Sequence, residues 1–234
     1  MRKDVFLMKK SVFSLFILMV LSYSISVFGY SDFSEEEFKK IKKTIPYMTF
    51  LKSHRLSSFL DLTFRYYPRA LTSSHLLQRF GFKRCGAECP VSKKSVSVFM
   101  HPRFPKFVVK IRFTDDVDED KKYFYNYVKR IRNACFVREY CKEHNIKDIV
   151  VPRKWLYYPS RSKNKVILIA ERKEVLTGIW ADTPNGMRYK NISERNLREL
   201  ITFLYDMDGC DERIFNVPFT YNNKMAVIDT ERLG

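Results

Sequence analysis

The chain has 234 residues, 45% of them apolar and 29% charged, enough for one sizeable core and a small second unit and inconsistent with disorder over most of its length. Only 7 Gly and 9 Pro exclude collagen-like or low-complexity sequence, and no self-similar period signals a repeat architecture. A formal net charge of +17 favours anionic partners such as phosphates, nucleic acid, acidic lipid or acidic protein surfaces without choosing among them, and the Lys and Arg residues are spread along the chain as a solvated basic surface would be.

The N-terminus opens with Arg2, Lys3, Lys9 and Lys10, followed by an uncharged apolar run from Ser11 to Gly29. A basic start and an apolar stretch of this length have the layout of a secretory signal peptide, with Val27 and Gly29 small enough to precede a cleavage at Tyr30. An uncleaved anchor is the alternative, because the run just reaches the roughly 20 residues that span a bilayer. The expected location is therefore exported: periplasmic, secreted or held to a membrane through residues 11–29. Those first 29 residues hold four basic and one acidic residue, so the remainder still carries +14.

Ser34, with Glu37 three positions on, forms a capping box that starts a helix, and short amphipathic helical pieces continue to about residue 80, interrupted at Pro46 and Pro68. The chain holds 5 cysteines, an odd number without C-x-x-C spacing. Cys85 and Cys89, beside Gly86 and Pro90, are placed for a small loop staple in an oxidising compartment. Metal binding there is disfavoured, since His75 and His101 lack ligand spacing.

From about residue 95 the period changes. "SVSVFM" and "KFVVKIRF" alternate apolar and polar residues around the breaker "HPRFP", which predicts two adjacent strands. The acidic run from Asp115 to Asp120 suits the positive end of a helix over about 118–144, on which Phe124, Val128, Ile131 and Cys135 form an apolar stripe that continues four residues on at Glu139. "IVVPRKWLYYP" and "KVILIAE" predict two more extended runs, the second a central strand because it is almost uninterruptedly apolar. "TGIWADTPNGMRYKN" is expected to be a loop, Ser193 to cap a helix carrying Leu197, Leu200, Ile201 and Leu204, and "VPFTY", "NN" and "KMAVI" to close a hairpin.

These elements and their polar residues resemble the protein-kinase-like fold over roughly residues 95–231. "FVVKI" is similar to the family's third-strand "V-A-I-K", which makes Lys110 the lysine on the α- and β-phosphates of ATP. "CDERIFN" resembles the catalytic loop "H-R-D-x-x-x-x-N", with Asp211 as the catalytic aspartate and Asn216 as a metal ligand; "IDTE" stands at the "D-F-G" position, with Asp229 as the main magnesium ligand and Glu139 as the partner of Lys110. The chemistry suits these residue types: the triphosphate needs a compact cation, magnesium takes hard oxygen ligands, and the attacking hydroxyl must lose its proton to a carboxylate. The thirteen-residue step from Asn216 to Asp229 is the length of a hairpin whose ends return to one place.

The resemblance implies an α+β fold: a kinase-like N-lobe (antiparallel sheet plus one long helix) over 95–175 and a minimal, truncated C-lobe over 176–234, after a helical preface at 30–94 and the signal or anchor at 1–29. There are departures. Gly209-Cys210 replace the His and Arg before Asp211, Thr230-Glu231 replace the Phe-Gly after Asp229, no G-x-G-x-x-G precedes Lys110, and the sequence given stops at Gly234 without an activation segment. The expected function is an exported pseudokinase-type module binding ATP and Mg2+ or a protein, with little or no phosphoryl transfer. A small ATP/Mg-dependent phosphotransferase is one alternative; an unrelated basic envelope-associated protein that binds anionic protein or membrane surfaces is the other. No specific nucleic-acid partner is expected, because no helix-turn-helix, RNA-binding or zinc-finger signature is present. Asn191-Ile192-Ser193 is an N-glycosylation sequon, meaningful only in a eukaryotic secretory pathway.

Overall fold

A computed structural model describes residue 43 and residues 48–85, 96–113, 117–159, 165–176, 182–206 and 217–228, with backbone alone for 117–122. The chain divides into two compact units, Met1–Phe33 and Ser34–Gly234, and all of these residues lie in the second. The capping box at Ser34 and Glu37, and the apolar segment 11–29, fall outside them.

The fold is α+β. Helix α1 (Arg55–Tyr66), a 3-10 turn (Pro68–Leu71) and α2 (Ser74–Arg79) precede strands β1 (Lys83–Cys85), β2 (Val96–Met100) and β3 (Phe107–Arg112). The long helix α3 (Val117–Glu143) follows, then β4 (Ile149–Val150), β5 (Lys154–Tyr157), β6 (Ile167–Glu171), α4 (Pro184–Lys190), α5 (Glu194–Asp206) and β7 (Met225–Ala226). Strands β1-β2-β3-β6-β5 form one sheet in that order, every pair antiparallel, while β4 and β7 form a separate parallel pair.

Strand alternation decides what each sheet face meets. Val109 and Ile111 of β3, with Phe99, Ile167 and Ile169, are buried with Leu56, Leu60 and Phe64 of α1 and Leu77 of α2. The helical segment before the sheet therefore covers one face, as the 3.6-residue spacing of its apolar residues requires. The alternate positions of β3, Val108, Lys110 and Arg112, belong to the other face, where α3 lies: the Arg112 guanidinium stacks 3.7 Å from the Tyr123 ring centre, and the Tyr127 hydroxyl donates to the Lys110 carbonyl at 3.5 Å. Because β6 is sandwiched between two covered faces, Ile167, Leu168, Ile169 and Ala170 are all buried, the pattern its apolar run predicts.

At 27 residues α3 is about 40 Å long and extends past the sheet. Its last turns enter a second core, where Ala134, Val137, Tyr140 and Cys141 meet Phe203 of α5 and Phe219, Met225 and Val227. The Tyr140 hydroxyl donates to the Asp206 carboxylate at the end of α5, and burial, with that bond, pushes the phenol up to about 12.

Two sequence expectations need correction. The stretch expected as a loop contains α4, begun by Thr183 as N-cap (its Oγ1 accepts from Gly186 N–H at 3.3 Å) and by Pro184 in the first turn. Cys85 is a free cysteine, so the Cys85–Cys89 staple is not formed. The Ser193 cap is present, its Oγ accepting from Asn196 N–H at 3.2 Å.

Phe203 is wholly buried and Ile201, two positions away on α5, is exposed. Phe203→Ala is expected to lower unfolding free energy by about 3–5 kcal/mol and Ile201→Ser by about 0.5 kcal/mol or less in urea melts; similar losses from both would contradict this placement of α5. Because the Tyr140 phenol is raised in the folded chain, its stabilisation is complete below pH 10 and lost as pH climbs towards 12. Tyr140→Phe should therefore make the fall of stability shallower between pH 10 and 12, and an unchanged slope would show that Tyr140 carries no such proton.

Candidate functional site

The hairpin at the C-terminal end of the described residues is held from three sides. Ala226 N–H donates to the Pro218 carbonyl (2.8 Å) and Thr220 N–H to the Lys224 carbonyl (2.7 Å), closing it around Asn223, whose positive φ of 64° an asparagine tolerates better than most residues. On one side β7 pairs with β4, with Met225 N–H on the Asp148 carbonyl and Val227 N–H on the Val150 carbonyl. On another, the segment after β6 joins it through Leu176 N–H to the Phe219 carbonyl (2.7 Å). The third side is α4: buried Asn185 accepts from Phe219 N–H at 2.9 Å, and Tyr189 donates to the Val217 carbonyl.

Between the segment after β6 and the hairpin turn lies an open cleft of about 410 Å³, lined by Val150, Arg172, Lys173, Glu174, Thr220, Tyr221 and Asn222. Lys173 sits 3.2 Å from the Glu171 carboxylate, with Arg153 at 3.8 Å on its other oxygen. Burial alone would raise the Glu171 carboxyl, but Arg153 N–H and the two cations outweigh it and hold the group below its usual range. Glu171 is thus spent on a local ion-pair cluster at the edge of the open cleft.

Of the residues expected from the sequence to carry chemistry, Asp211, Asn216 and Asp229 lie outside the described residues. Lys110 is half-buried on β3, on the sheet face covered by α3. Glu139 is not brought to it: its side chain is 68% exposed, with the carboxylate 4.0 Å from Lys142 one turn on. Tyr127 marks the level of Lys110, and Glu139 is twelve residues further along α3, about 18 Å along the axis. The physical reason is a change of partner. The helix buries Phe124, Val128 and Ile131 against the sheet, then Val137, Tyr140 and Cys141 in the second core, so the buried stripe swings round the helix and leaves Glu139 outside.

Sequence reasoning passed over Lys154 and Arg112, only 4% and 5% exposed. Lys154 pairs with Ala170, which pairs in turn with Val108, so Lys154 shares a sheet face with Lys110 and Arg112. The period-2 rule applied to "RKWLY" would have found it, since Lys154 is in step with buried Leu156. Three cations thus point to the α3 side of the sheet.

Gly81 has a local explanation. At φ 83° it makes the left-handed turn from α2 into β1, and a Cβ there would stand 3.0 Å from Nε2 of His101. Burial raises the thiols of Cys85, Cys135 and Cys141, the last to about 11, against the weaker pull of nearby Arg172 on Cys85 and Arg138 on Cys135. Burial thus works against the thiolate form at all three. No group of three or more His, Cys, Asp or Glu suited to a metal occurs among the described residues, and none of their helices is long and apolar enough to cross a membrane.

No protein-family model matches this chain, and no curated protein matches it.

Asn185→Ala removes the acceptor of a buried backbone N–H and is expected to cost about 1–3 kcal/mol in chemical denaturation. Glu139→Gln should change stability by about 0.5 kcal/mol or less; a loss of several kcal/mol would mean that Glu139 is the buried, paired carboxylate after all.

Proposed function

We propose that the protein is an exported, kinase-like binding module that takes ATP with Mg2+ and has little or no phosphoryl-transfer activity. The observation that carries this reading is Lys110 on the third strand of a five-stranded antiparallel sheet, on the face covered by the one long helix between that strand and the rest of the sheet. There the ammonium would meet the α- and β-phosphates as a point charge against non-bridging oxygens.

The hairpin supports the metal half of the reading. Its arms are bonded from Pro218 to Ala226, and residue 216 immediately precedes one described arm while residue 229 immediately follows the other. Asn216 and Asp229 would offer an amide oxygen and a carboxylate, hard ligands of the kind magnesium takes alongside phosphate and water. Bound magnesium would neutralise phosphate charge, and Asp211 would accept the proton of an attacking hydroxyl if transfer occurred.

Low activity follows from two features. Glu139, the expected partner of Lys110, lies at the far end of α3, and the residues flanking Asp211 and Asp229 depart from the kinase pattern at Gly209-Cys210 and Thr230-Glu231. A protein partner on the same scaffold would have the open cleft beside Thr220–Asn222 available to it.

The test is thermal unfolding of the full chain with and without ATP and Mg2+. At a hundred times its dissociation constant the ligand adds about 2.7 kcal/mol, which raises Tm by roughly 5–10 °C for a chain of this size. Lys110→Ala should remove most of that shift, and radiolabelled ATP should give no transfer above background. No shift in the unmodified chain would end the nucleotide-binding reading; transfer that depends on Asp211 would replace it with the phosphotransferase alternative.

A further inference from the structure

The outer face of α1 is not used by the fold. Leu56, Leu60 and Phe64 point into the core, while Arg55, Leu62, Arg65 and Tyr66 fall within one arc of roughly 100° on the opposite side, by the 100° step of an α-helix. Leu62 is 51% and Tyr66 69% exposed, and Tyr67 and Arg69, just past the helix end, are exposed as well. The flanking charge has one sign: between residues 51 and 80 the sequence holds five Lys or Arg and a single acid, Asp61. Asp61, half-buried beside the Tyr157 hydroxyl, offsets one of the five and leaves a local excess of four positive charges.

We infer that this face docks the protein on an anionic lipid bilayer, with Leu62 and Tyr66 entering the headgroup region and Arg55 and Arg65 on the lipid phosphates. The mixture selects the partner. Arginines alone would suit any polyanion, but exposed aliphatic and tyrosine side chains between them match a bilayer interface, where apolar area and basic charge contribute together. On a nucleic acid the leucine would contribute nothing to stacking or to base recognition. The other exposed apolar stripe, Leu197, Ile201 and Tyr205 on α5, lies on a helix where Arg198 is paired with Glu194 and Arg195 with Glu199, and so lacks this excess of positive charge.

The experiment is co-sedimentation of the full chain with vesicles of phosphatidylcholine alone or with 30% phosphatidylserine (an order-of-magnitude choice that gives an appreciable negative surface potential). Segment 11–29 is common to every variant, so differences between variants report the α1 face. Binding should increase with phosphatidylserine and fall with salt. R55E/R65E should weaken it by about 25-fold or more, given roughly fivefold for each basic residue near the surface, and L62S/Y66S by about fivefold or more. The controls K142E and I201S, on exposed sites elsewhere, should bind as the unmodified chain does. Circular dichroism and melting would verify that each variant is folded. Equal loss in the controls, or R55E/R65E effects without any from L62S/Y66S, would overturn the proposal. So would tight binding to single-stranded RNA that L62S/Y66S leaves intact while phosphatidylserine vesicles go unbound.

Discussion

The structure depends on covering both faces of one antiparallel sheet with different partners. Strand β6 is buried on both sides, and it can be so only because the α1–α2 layer packs on Val109, Ile111 and Ile169 while α3 lies across the opposite face. Everything associated with a possible site follows from that arrangement. Alternation along β3 turns Lys110 and Arg112 towards α3, and the length of α3 carries its end into the second core, where it meets α5 and the hairpin.

The second core is smaller and is stitched by polar groups as much as by apolar ones. Asn185 and Tyr189 of α4 hold the hairpin backbone, Tyr140 ties α3 to α5, and Asp148 and Val150 supply carbonyls to β7. Buried hydrogen bonds contribute modest net stability but strong geometric preference, because leaving one partner unmet is costly.

Much of this was legible in the sequence where a period ran without change of environment. The alternation of "SVSVFM" and "FVVKI", the apolar "VILIA" and the Ser193 cap all correspond to the observed elements. Failures came where the environment changed along an element. Glu139 was placed on the buried stripe by a constant i+4 step, whereas α3 exchanges the sheet for the second core partway along. Strand β1 has three residues at the sheet edge and no alternation long enough to read, and α4 is built from Pro, Asn and Gly, poor helix formers except beside the Thr183 cap. Lys154 was overlooked because lysine is read as a surface residue, although its parity with Leu156 puts it inside.

The nucleotide-binding proposal places phosphates next to one particular lysine among many. An acyl-phosphate derivative of ATP, which acylates whichever lysine lies beside the bound phosphates, followed by peptide mass spectrometry, tests that placement directly. The account predicts label concentrated on Lys110, dependent on Mg2+ and suppressed by excess ATP; label spread over the exposed lysines and indifferent to ATP would contradict it.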